Sequence, residues 1–193
     1  MENTIPISHQ IRSIPMNYKA IFDRMNPDFF RDEKNRRLSE RDIFTELVLD
    51  LHDAAATATA FPVLCPKNIT FGAFHGDLSV IHDAVRKVDA DWVQYFNRGN
   101  RFLCAFDKGK VVSFCILDDM GTYDGAHIGG PGCVGTVPEY RKRGIGLEMI
   151  RMATEQFRKD GYDLSWVHFT HLDRWYSRLG YQVVLRWNCH GFV

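Results

Sequence analysis

The sequence predicts an α/β (α+β) fold, in which a mixed central sheet is flanked by helices and preceded by a helical N-terminal extension. Two observations carry this prediction. Two apolar runs, 101–106 and 111–117, are joined by Asp107-Lys-Gly-Lys110, which is a typical hairpin turn. After Gly146 apolar residues recur at helical spacing, and strand and helix patterns alternate from there to residue 187.

Helices are predicted for the N-terminal extension, residues 1–61. The first is indicated by apolar residues that share one helical face: Tyr18, Ile21, Phe22 and Met25. It should end near Asn26-Pro27. The second should follow Ser39-Glu-Arg-Asp42, which resembles a capping box, since apolar residues again recur at helical spacing: Ile43, Phe44, Leu47, Val48 and Leu51. Residues 54–60 show no apolar periodicity, and Pro62 follows them, so a domain boundary is predicted there. Residues 62–193 are predicted to be the main domain.

Strands and helices are expected to alternate within 62–193. The two runs of the hairpin are apolar at nearly every position, so we expect them to be buried on both faces. The glycine-rich stretch 118–132 is predicted to be a loop that leads into a strand ending near Val137. The other expected elements are a strand at 68–74, helices at 77–88 and 90–96, a long helix after Gly146 that ends near Gly161, a strand at 164–169, a short helix after Thr170-His-Leu-Asp173, and a strand at 181–187.

The composition limits which binding partners and which cellular compartment are expected for the protein. Lysine plus arginine equal aspartate plus glutamate at 24 each, so neither nucleic acid nor an anionic membrane is expected as a partner. No apolar run approaches the roughly 18–20 residues that cross a bilayer, and the first residues lack the pattern of a secretory signal. The 5 cysteines contain no Cys-x-x-Cys pair, which favours reduced thiols in a cytoplasmic protein.

The most informative segment is Arg141-Lys-Arg-Gly-Ile-Gly146, at the start of the long helix. Three cationic side chains adjoin two glycines where backbone N–H groups lack intrahelical partners and the helix dipole is positive. Glycine lets an anion approach those donors, so the pattern suits a pyrophosphate. It is not a P-loop, which ends in Gly-Lys-Ser/Thr, nor a dinucleotide fingerprint, which needs a third glycine at Met149.

Two motifs together resemble a known family. Val134-Gly-Thr-Val-Pro-Glu-Tyr-Arg-Lys-Arg-Gly-Ile-Gly-Leu147 is similar to the coenzyme A signature of the GNAT N-acetyltransferases, Arg/Gln-x-x-Gly-x-Gly/Ala after a strand and a proline turn. Trp175-Tyr-Ser-Arg-Leu-Gly-Tyr181 resembles the second hallmark of that family. The resemblance covers about 68–187 and implies a mostly antiparallel sheet, with acetyl-CoA as co-substrate and no metal.

The resemblance also implies roles for individual residues. The strand at 134–137 would pair with the pantetheine arm, the amides of 142–146 would hold the pyrophosphate, and the cations at 141–143 would add charge. Tyr176 matches the tyrosine that protonates the departing thiolate in many members. The cofactor-binding residues so implied are Val134, Gly135, Thr136, Val137, Arg141, Lys142, Arg143, Gly144, Ile145 and Gly146. Members of the family often carry an Asn or Ser that contacts the cofactor just before the helix of the second motif. In this sequence the polar residues at that place are Thr170, His171 and Asp173.

Direct transfer needs a proton donor, a proton acceptor and a donor to the oxyanion. A tyrosine, whose ordinary pKa is about 10, can protonate a thiolate, and an amide of 134–136 can serve the oxyanion. An ammonium must lose its proton before attack, and several side chains could accept it: His168, His127, Asp124, Asp118 and Asp119. We select His168, because the family's reacting centre lies between the strands at 133–137 and 164–169. His168 and His171 lack a third ligand for zinc.

The function predicted is transfer of the acetyl group of acetyl-CoA to a primary amine of a small molecule or a peptide. Two alternatives stay open: a non-catalytic acyl-CoA sensor of the same fold, and an enzyme that uses another acyl donor or an alcohol acceptor. The N-terminal extension could shape the acceptor pocket, cover a sheet edge or form a homodimer contact.

Overall fold

Eight strands form one mixed sheet in the computed structural model, which describes residues 16–53 and 62–193. The strands are β1 (Phe44–Asp50), β2 (Ile69–Ala73), β3 (Arg101–Asp107), β4 (Lys110–Tyr123), β5 (Ala126–Thr136), β6 (Leu164–Thr170), β7 (Gln182–Asn188) and β8 (Gly191–Phe192). They lie in the order β2-β3-β4-β5-β6-β1-β7-β8. Every pair is antiparallel except β5–β6, which is parallel.

The helices pack on both faces of this sheet. They are α1 (Tyr18–Met25), α2 (Glu33–Arg36), α3 (Leu78–Arg86), α4 (Ile145–Lys159) and α5 (Asp173–Tyr176), with 3₁₀ turns at Phe29–Arg31, Ala90–Tyr95, Pro138–Tyr140 and Ser177–Leu179. The predicted α/β class, the first helix, the hairpin at 101–117 and the long helix after the basic glycine segment are confirmed. The helix expected at 90–96 is a 3₁₀ turn.

Apolar clusters are buried on both faces of the sheet. On one face α4 packs through Met149, Ala153 and Phe157 against residues of the central strands. The other face carries two clusters, one around α3 and one around α1, in which the Tyr18 ring lies 6.0 Å from that of Trp166. Full burial of a large apolar side chain contributes about 1.5–3 kcal/mol, so these layers hold the helices to the sheet.

The helix predicted after Asp42 is wrong, because residues 44–50 form strand β1. This strand lies between β6 and β7 and pairs antiparallel with both. All residues from Phe44 to Leu49 are buried, including Thr45 and Glu46. A run that is buried on both faces loses the alternation that would mark it as a strand, and its apolar spacing then also fits a helix. The predicted boundary near residue 61 lies outside the described residues, as does the stretch 54–60.

The loop predicted at 118–132 is also wrong. β4 continues to Tyr123, β5 begins at Ala126, and the two strands join through a tight turn in which Asp124 and Gly125 both have positive φ (50° and 73°). The glycines of this region serve close packing. A Cβ at Gly129 would lie 2.7 Å from the Phe157 ring, and a Cβ at Gly130 would overlap the carbonyl oxygen of Trp166.

The sheet opens between β5 and β6. These strands pair at only two positions of the described chain, Ile128 with Leu164 and Gly129 with Ser165. Beyond them β5 stays paired with β4 alone, and the left-handed conformation of Cys133 (φ 44°) interrupts its regular course. The ends of β5 and β6 therefore separate beside the N-terminus of α4.

Candidate active site

A cavity of about 720 Å³ lies where the end of β5, the start of α4 and the short helix α5 meet. All the predicted cofactor-binding residues except Val137 line it, and Tyr176 lines it too. Val137 is buried; its N–H donates to the carbonyl of Val112 (2.9 Å), and its side chain packs in the cluster around α3. The remaining lining residues are Pro62, Val63, Leu64, Val88, Tyr140, Leu147, Leu172, Trp175 and Arg178.

The backbone turns sharply before α4. Lys142 (φ 60°) and Gly144 (φ 79°) are both left-handed, and α4 begins directly after Gly144, which has no side chain to cap the helix. The first N–H groups of a helix lack intrahelical acceptors and carry the positive end of its dipole. Ile145, Gly146 and Leu147, which bear those groups, all line the cavity. The segment 141–146, called the pyrophosphate cradle below, therefore has the donors that an anion needs.

Two glycines keep the cradle close to its neighbours. A Cβ at Gly144 would overlap the carbonyl oxygen of Leu64, and a Cβ at Gly146 would lie 3.1 Å from the hydroxyl of Thr136. Any side chain at Gly144 would also have to adopt the left-handed conformation, which favours glycine. Gly144 therefore requires glycine for space as well as for backbone geometry, whereas at Gly146 the limit is space alone.

The three cationic side chains of the cradle are exposed, and the two arginines are anchored to carbonyls. Nε of Arg141 donates to the carbonyl of Thr136 (3.0 Å), which ties the cradle to the end of β5. Arg143 donates to the carbonyl of Glu139 (2.8 Å), and its guanidinium lies 5.1 Å from the centre of the Tyr140 ring. A guanidinium has five N–H donors, so each arginine keeps others for a phosphate.

Tyr176 lies in the wall of the cavity with 5% of its surface exposed. Its ring contacts those of Trp175 and Tyr181 at centroid distances of 4.8 and 5.8 Å. No other described residue hydrogen-bonds its hydroxyl, and no buried polar side-chain atom among the described residues lacks a partner, so the hydroxyl is open to the cavity. Burial, with Tyr181 and Cys115 nearby, raises its pKa well above the ordinary value near 10.

His168 does not line this cavity with Tyr176. Along β6, Ser165 and Val167 point to the α4 face, whereas Trp166 and His168 point to the α1 face. The imidazole lies 5.8 Å from the Phe22 ring and 5.5 Å from the Phe29 ring, and 30% of the side chain is exposed. Its Nδ1 is 2.8 Å from Oε2 of Glu46.

Glu46 was missed by the sequence analysis. Its carboxylate is fully buried on β1 and contacts N–H groups of both neighbouring strands. Oε2 accepts from Nε1 of Trp166 (2.7 Å), and Oε1 accepts from Nε1 of Trp187 (2.7 Å) and from the backbone of Phe169 (3.2 Å). A single acidic residue within an apolar run was the available signal, but the helical interpretation of that run placed it on a solvated face.

The other candidate proton acceptors have different environments. Asp118 is partly buried on β4, close to Gly132, and burial raises the pKa of its carboxyl. A hydrogen bond from the Gly121 N–H lowers the pKa of Asp119, whose Oδ1 is 3.1 Å from Nε2 of His127. Asp124 pairs with Arg24 (2.8 Å).

Near the second motif, the three polar residues expected near the cofactor make local contacts. Thr170 accepts from the Leu172 N–H (3.1 Å), His171 bonds the Ile43 carbonyl (2.9 Å), and Asp173 accepts from the N–H of Arg174 (2.8 Å). Among the described residues no group of three or more His, Cys, Asp or Glu could hold a metal ion. No helix in the same part of the chain is long and apolar enough to cross a bilayer.

Comparisons with known proteins agree with this geometry. The family profile described as "Acetyltransferase (GNAT) domain" matches residues 98–183. No curated protein matches the chain. Among solved structures, the chain is similar to a GCN5-related glucosamine N-acetyltransferase region of a fungal multi-domain GH3 β-N-acetylglucosaminidase (20% identity, 78% of this chain, 20% of that chain, TM-score 0.60).

Two bacterial structures are similar over comparable lengths. A GCN5-related N-acetyltransferase from Sphaerobacter thermophilus has 17% identity over 82% of this chain and 53% of its own, with a TM-score of 0.55. A GCN5-related N-acetyltransferase from Kribbella flavida has 16% identity over 83% of this chain and 62% of its own, with a TM-score of 0.51. The chain thus spans 20% to 62% of the length of these structures.

At these identities the structural likeness establishes the fold, and the family profile covers both sequence motifs that line the cavity. Residues 98–183 thus match the GNAT acetyltransferase domain, and the fold is that of GNAT N-acetyltransferase structures.

Proposed function

We propose that the protein transfers the acetyl group of acetyl-CoA to a primary amine of a small molecule or a peptide. The observation that carries the proposal is that the pyrophosphate cradle, the end of β5 and Tyr176 line a single cavity. These parts come from separate segments of the sequence, yet they meet where the sheet opens between β5 and β6.

Coenzyme A fits the residues of this cavity. Its pyrophosphate would be held by the amides of 142–146 and by the side chains of Arg141, Lys142 and Arg143, at the positive end of α4. The backbone of 134–136 borders the cavity on the side of β5 that has lost its partner strand, where the pantetheine amides could pair with it. Acetyl-CoA would supply an activated acetyl group as a thioester.

Tyr176 is proposed to donate a proton to the departing thiolate. A general acid must be protonated beforehand, and burial keeps the Tyr176 phenol neutral at pH values well above 7. An open hydroxyl within an otherwise buried side chain is consistent with that role. A backbone N–H of 134–136 is proposed to stabilise the oxyanion.

His168 is proposed to accept the proton of the attacking amine. It lies on the part of β6 that has separated from β5, but on the face opposite to the cavity. This arrangement is compatible with catalysis if the thioester enters the opening from the α4 face and the amine approaches from the α1 face. Partial exposure of the imidazole would let an amine or a bridging water reach it.

Calorimetric titration with acetyl-CoA, with acetate and NADH as controls, tests binding first. Saturable heat with acetyl-CoA alone is expected. A screen of small amines and amino-terminal peptides, followed by thiol release from coenzyme A, then tests transfer. Binding without turnover on any amine would favour the acyl-CoA sensor, and no heat at millimolar ligand would refute the proposal.

A further inference from the structure

The buried carboxylate of Glu46 connects the N-terminal strand to the proposed reaction. We propose that Glu46 is a positioning residue, which holds the imidazole of His168 with its proton on Nδ1 and so leaves the lone pair of Nε2 to receive the proton of the amine. This inference rests on the proposed function of His168. It assigns a role to a strand that lies outside both sequence motifs of the family.

The donors around Glu46 determine the direction of its bond to His168. An indole N–H and a backbone N–H can only donate, and three such groups point at the carboxylate: those of Trp166, Trp187 and Phe169. An ionised carboxylate has about four acceptor sites and carries no proton, so the fourth contact, from His168, is satisfied when Nδ1 donates as well. All four sites are then filled by N–H groups.

A protonated Glu46 that donates to Nδ1 would offer fewer acceptor sites to the surrounding N–H groups. If Glu46 were protonated and donated to Nδ1, one carboxyl oxygen would have to accept from Trp166 while also carrying the proton. Burial of a carboxylate is costly unless several donors surround it, and here the donors come from two strands. The site is therefore built for a negative charge beside His168.

The backbone next to His168 shows a second sign of this positioning. Phe169 has a φ of 57°, a left-handed conformation that is unfavourable for a bulky residue within a strand. Its N–H is one of the four donors to Glu46. The carboxylate thus fixes the indole, imidazole and amide of three residues on β6, and the kink at Phe169 accompanies the separation of β6 from β5.

The other nitrogen of the imidazole is free to act. No described residue bonds Nε2 of His168, and no buried polar side-chain atom in that part of the chain lacks a partner, so Nε2 is in contact with solvent. The ring contacts those of Phe22, Phe29 and Phe169, and this packing restricts its rotation. A fixed base with one open nitrogen is the geometry that general-base catalysis needs.

The transfer balances with these groups. The amine nitrogen forms a C–N bond to the acetyl carbon and the C–S bond breaks, so the amide is formed and the thiolate departs. The proton lost by nitrogen goes to Nε2 of His168, and the thiolate takes the proton of Tyr176. His168 then returns its proton to solvent and Tyr176 regains one. During the step Glu46 stabilises the imidazolium and keeps its own charge.

The first experiment observes the tautomer directly in the ligand-free protein. Histidine labelled with ¹⁵N, and a long-range ¹H–¹⁵N correlation spectrum, show which ring nitrogen carries the proton, and the loss of one set of signals in His168→Gln assigns them. We expect His168 to be protonated on Nδ1 alone at the pH of the assay. A proton on Nε2 at that pH, with or without one on Nδ1, would overturn the proposal.

The second experiment compares two Glu→Gln variants. In Glu46→Gln the amide can donate to Nδ1 and shift the proton to Nε2, so we expect the rate of thiol release at saturation to fall about 10- to 100-fold, a part of what a general base contributes. The KM for acetyl-CoA should be unchanged. Glu40→Gln is the matched control, because Glu40 also contacts a histidine, His190 at 3.2 Å, but both side chains are exposed. A Glu46→Gln protein that keeps the wild-type rate refutes the proposal.

Failure of this inference differs from failure of the proposed function. If the wild type neither binds acetyl-CoA nor releases thiol, the function is refuted while the tautomer is still measurable. If it does both and His168 carries its proton on Nε2, only the role of Glu46 is refuted. Should Glu46→Gln not fold, as judged by its circular dichroism, the spectrum of the wild-type protein decides.

Discussion

The rings of Tyr176 and Tyr181 meet at an interplanar angle of 68°, with their centroids 5.8 Å apart, but their hydroxyls have different surroundings. The Tyr181 hydroxyl bonds the hydroxyls of Ser165 (2.6 Å) and Thr154 (2.9 Å), and burial raises its pKa to about 12. The hydroxyl of Tyr176 faces the cavity and has no bond to another described residue. Two neighbouring tyrosines of the second motif thus have separable roles, one in structure and one in the proposed chemistry.

Tyr176→Phe should slow thiol release about 100-fold or more, within the range of 10²–10⁴ typical of a general acid. Affinity for acetyl-CoA should stay the same, since no described residue depends on that hydroxyl. Titration calorimetry and a thiol assay measure the two quantities. Unchanged turnover would remove Tyr176 from the mechanism.

Tyr181→Phe should have the opposite effect. It leaves the buried hydroxyls of Ser165 and Thr154 without their shared partner, and an unsatisfied buried polar group costs about 1–3 kcal/mol. Thr154 can still donate to the Ile150 carbonyl, which limits the loss. Urea unfolding should show the lower stability, and turnover per folded molecule should change little. A large loss of turnover without loss of stability would contradict this division.

A substitution at Gly144 should weaken coenzyme A binding more than a matched glycine change does. Gly144 and Gly161 have nearly the same backbone, with φ of 79° and 81°. Alanine at either site must adopt a left-handed conformation, at a cost of about 1–2 kcal/mol. Only at Gly144 would the new Cβ overlap another group, the Leu64 carbonyl, whereas nothing lies within 4 Å of it at Gly161.

Calorimetric titration of the two alanine variants separates these effects. Gly144→Ala should lose acetyl-CoA affinity, because the cradle must shift away from residue 64. Gly161→Ala should keep the wild-type affinity and lose only stability. Equal affinity in both variants would show that the pyrophosphate does not depend on the geometry of the cradle.

Asp118 should make the fold less stable at neutral pH. Burial raises the pKa of its carboxyl above the unfolded value of about 3.9, so between the two pKa values the folded state binds more protons than the unfolded state. Stability therefore falls as the pH rises through this window. Asp118→Asn should unfold at a higher temperature than the wild type at pH 7.

The gain from Asp118→Asn should shrink as the pH is lowered through the raised pKa of Asp118, because the wild-type carboxyl then becomes protonated in the folded state. Thermal unfolding at several pH values checks this trend. Asp83→Asn is a suitable control, because that carboxylate is 74% exposed and pairs with Arg86 at the surface. A gain that is independent of pH would contradict the assignment to burial of charge.

The turn and the helix start of the pyrophosphate cradle could be predicted from sequence because their signals are local. The turn before α4 needs glycine at Gly144 and a helix start immediately after it, and both requirements appear in adjacent letters. The hairpin between β3 and β4 is likewise specified by its own turn. Such features hold whatever the rest of the chain does.

The strand β1 could not be predicted because its environment is supplied by distant residues. Glu46 is buried only because Trp166 and Trp187, more than a hundred positions later, bring N–H groups to it. A buried carboxylate among apolar neighbours is rare unless it is paired, so a helix with Glu46 on its solvated side was the simpler interpretation. The glycines of β5 were predicted to form a loop for the same reason. They are required by the close approach of β6 and α4, which is a tertiary contact that the local sequence does not show.

The glycines of β5 lead to a last prediction, on the pairing that holds β5 beside β6. A Cβ at Gly130 would overlap the carbonyl oxygen of Trp166, which belongs to the backbone of β6 and cannot move without displacing the strand. Gly130→Ala should therefore destabilise the protein by about 1–3 kcal/mol, as overpacking of a core does, and widen the opening where the sheet separates.

Gly72→Ala is the matched control, because Gly72 also lies within a strand, β2, and nothing lies within 4 Å of the added Cβ. Alanine there reduces the conformational entropy of the unfolded chain and should be neutral or stabilising by about 0.4–1 kcal/mol. Urea unfolding measures both variants, and titration with acetyl-CoA shows whether the wider opening also costs affinity. If Gly130→Ala is as stable as Gly72→Ala, the close contact between β5 and β6 is not what requires glycine at this position.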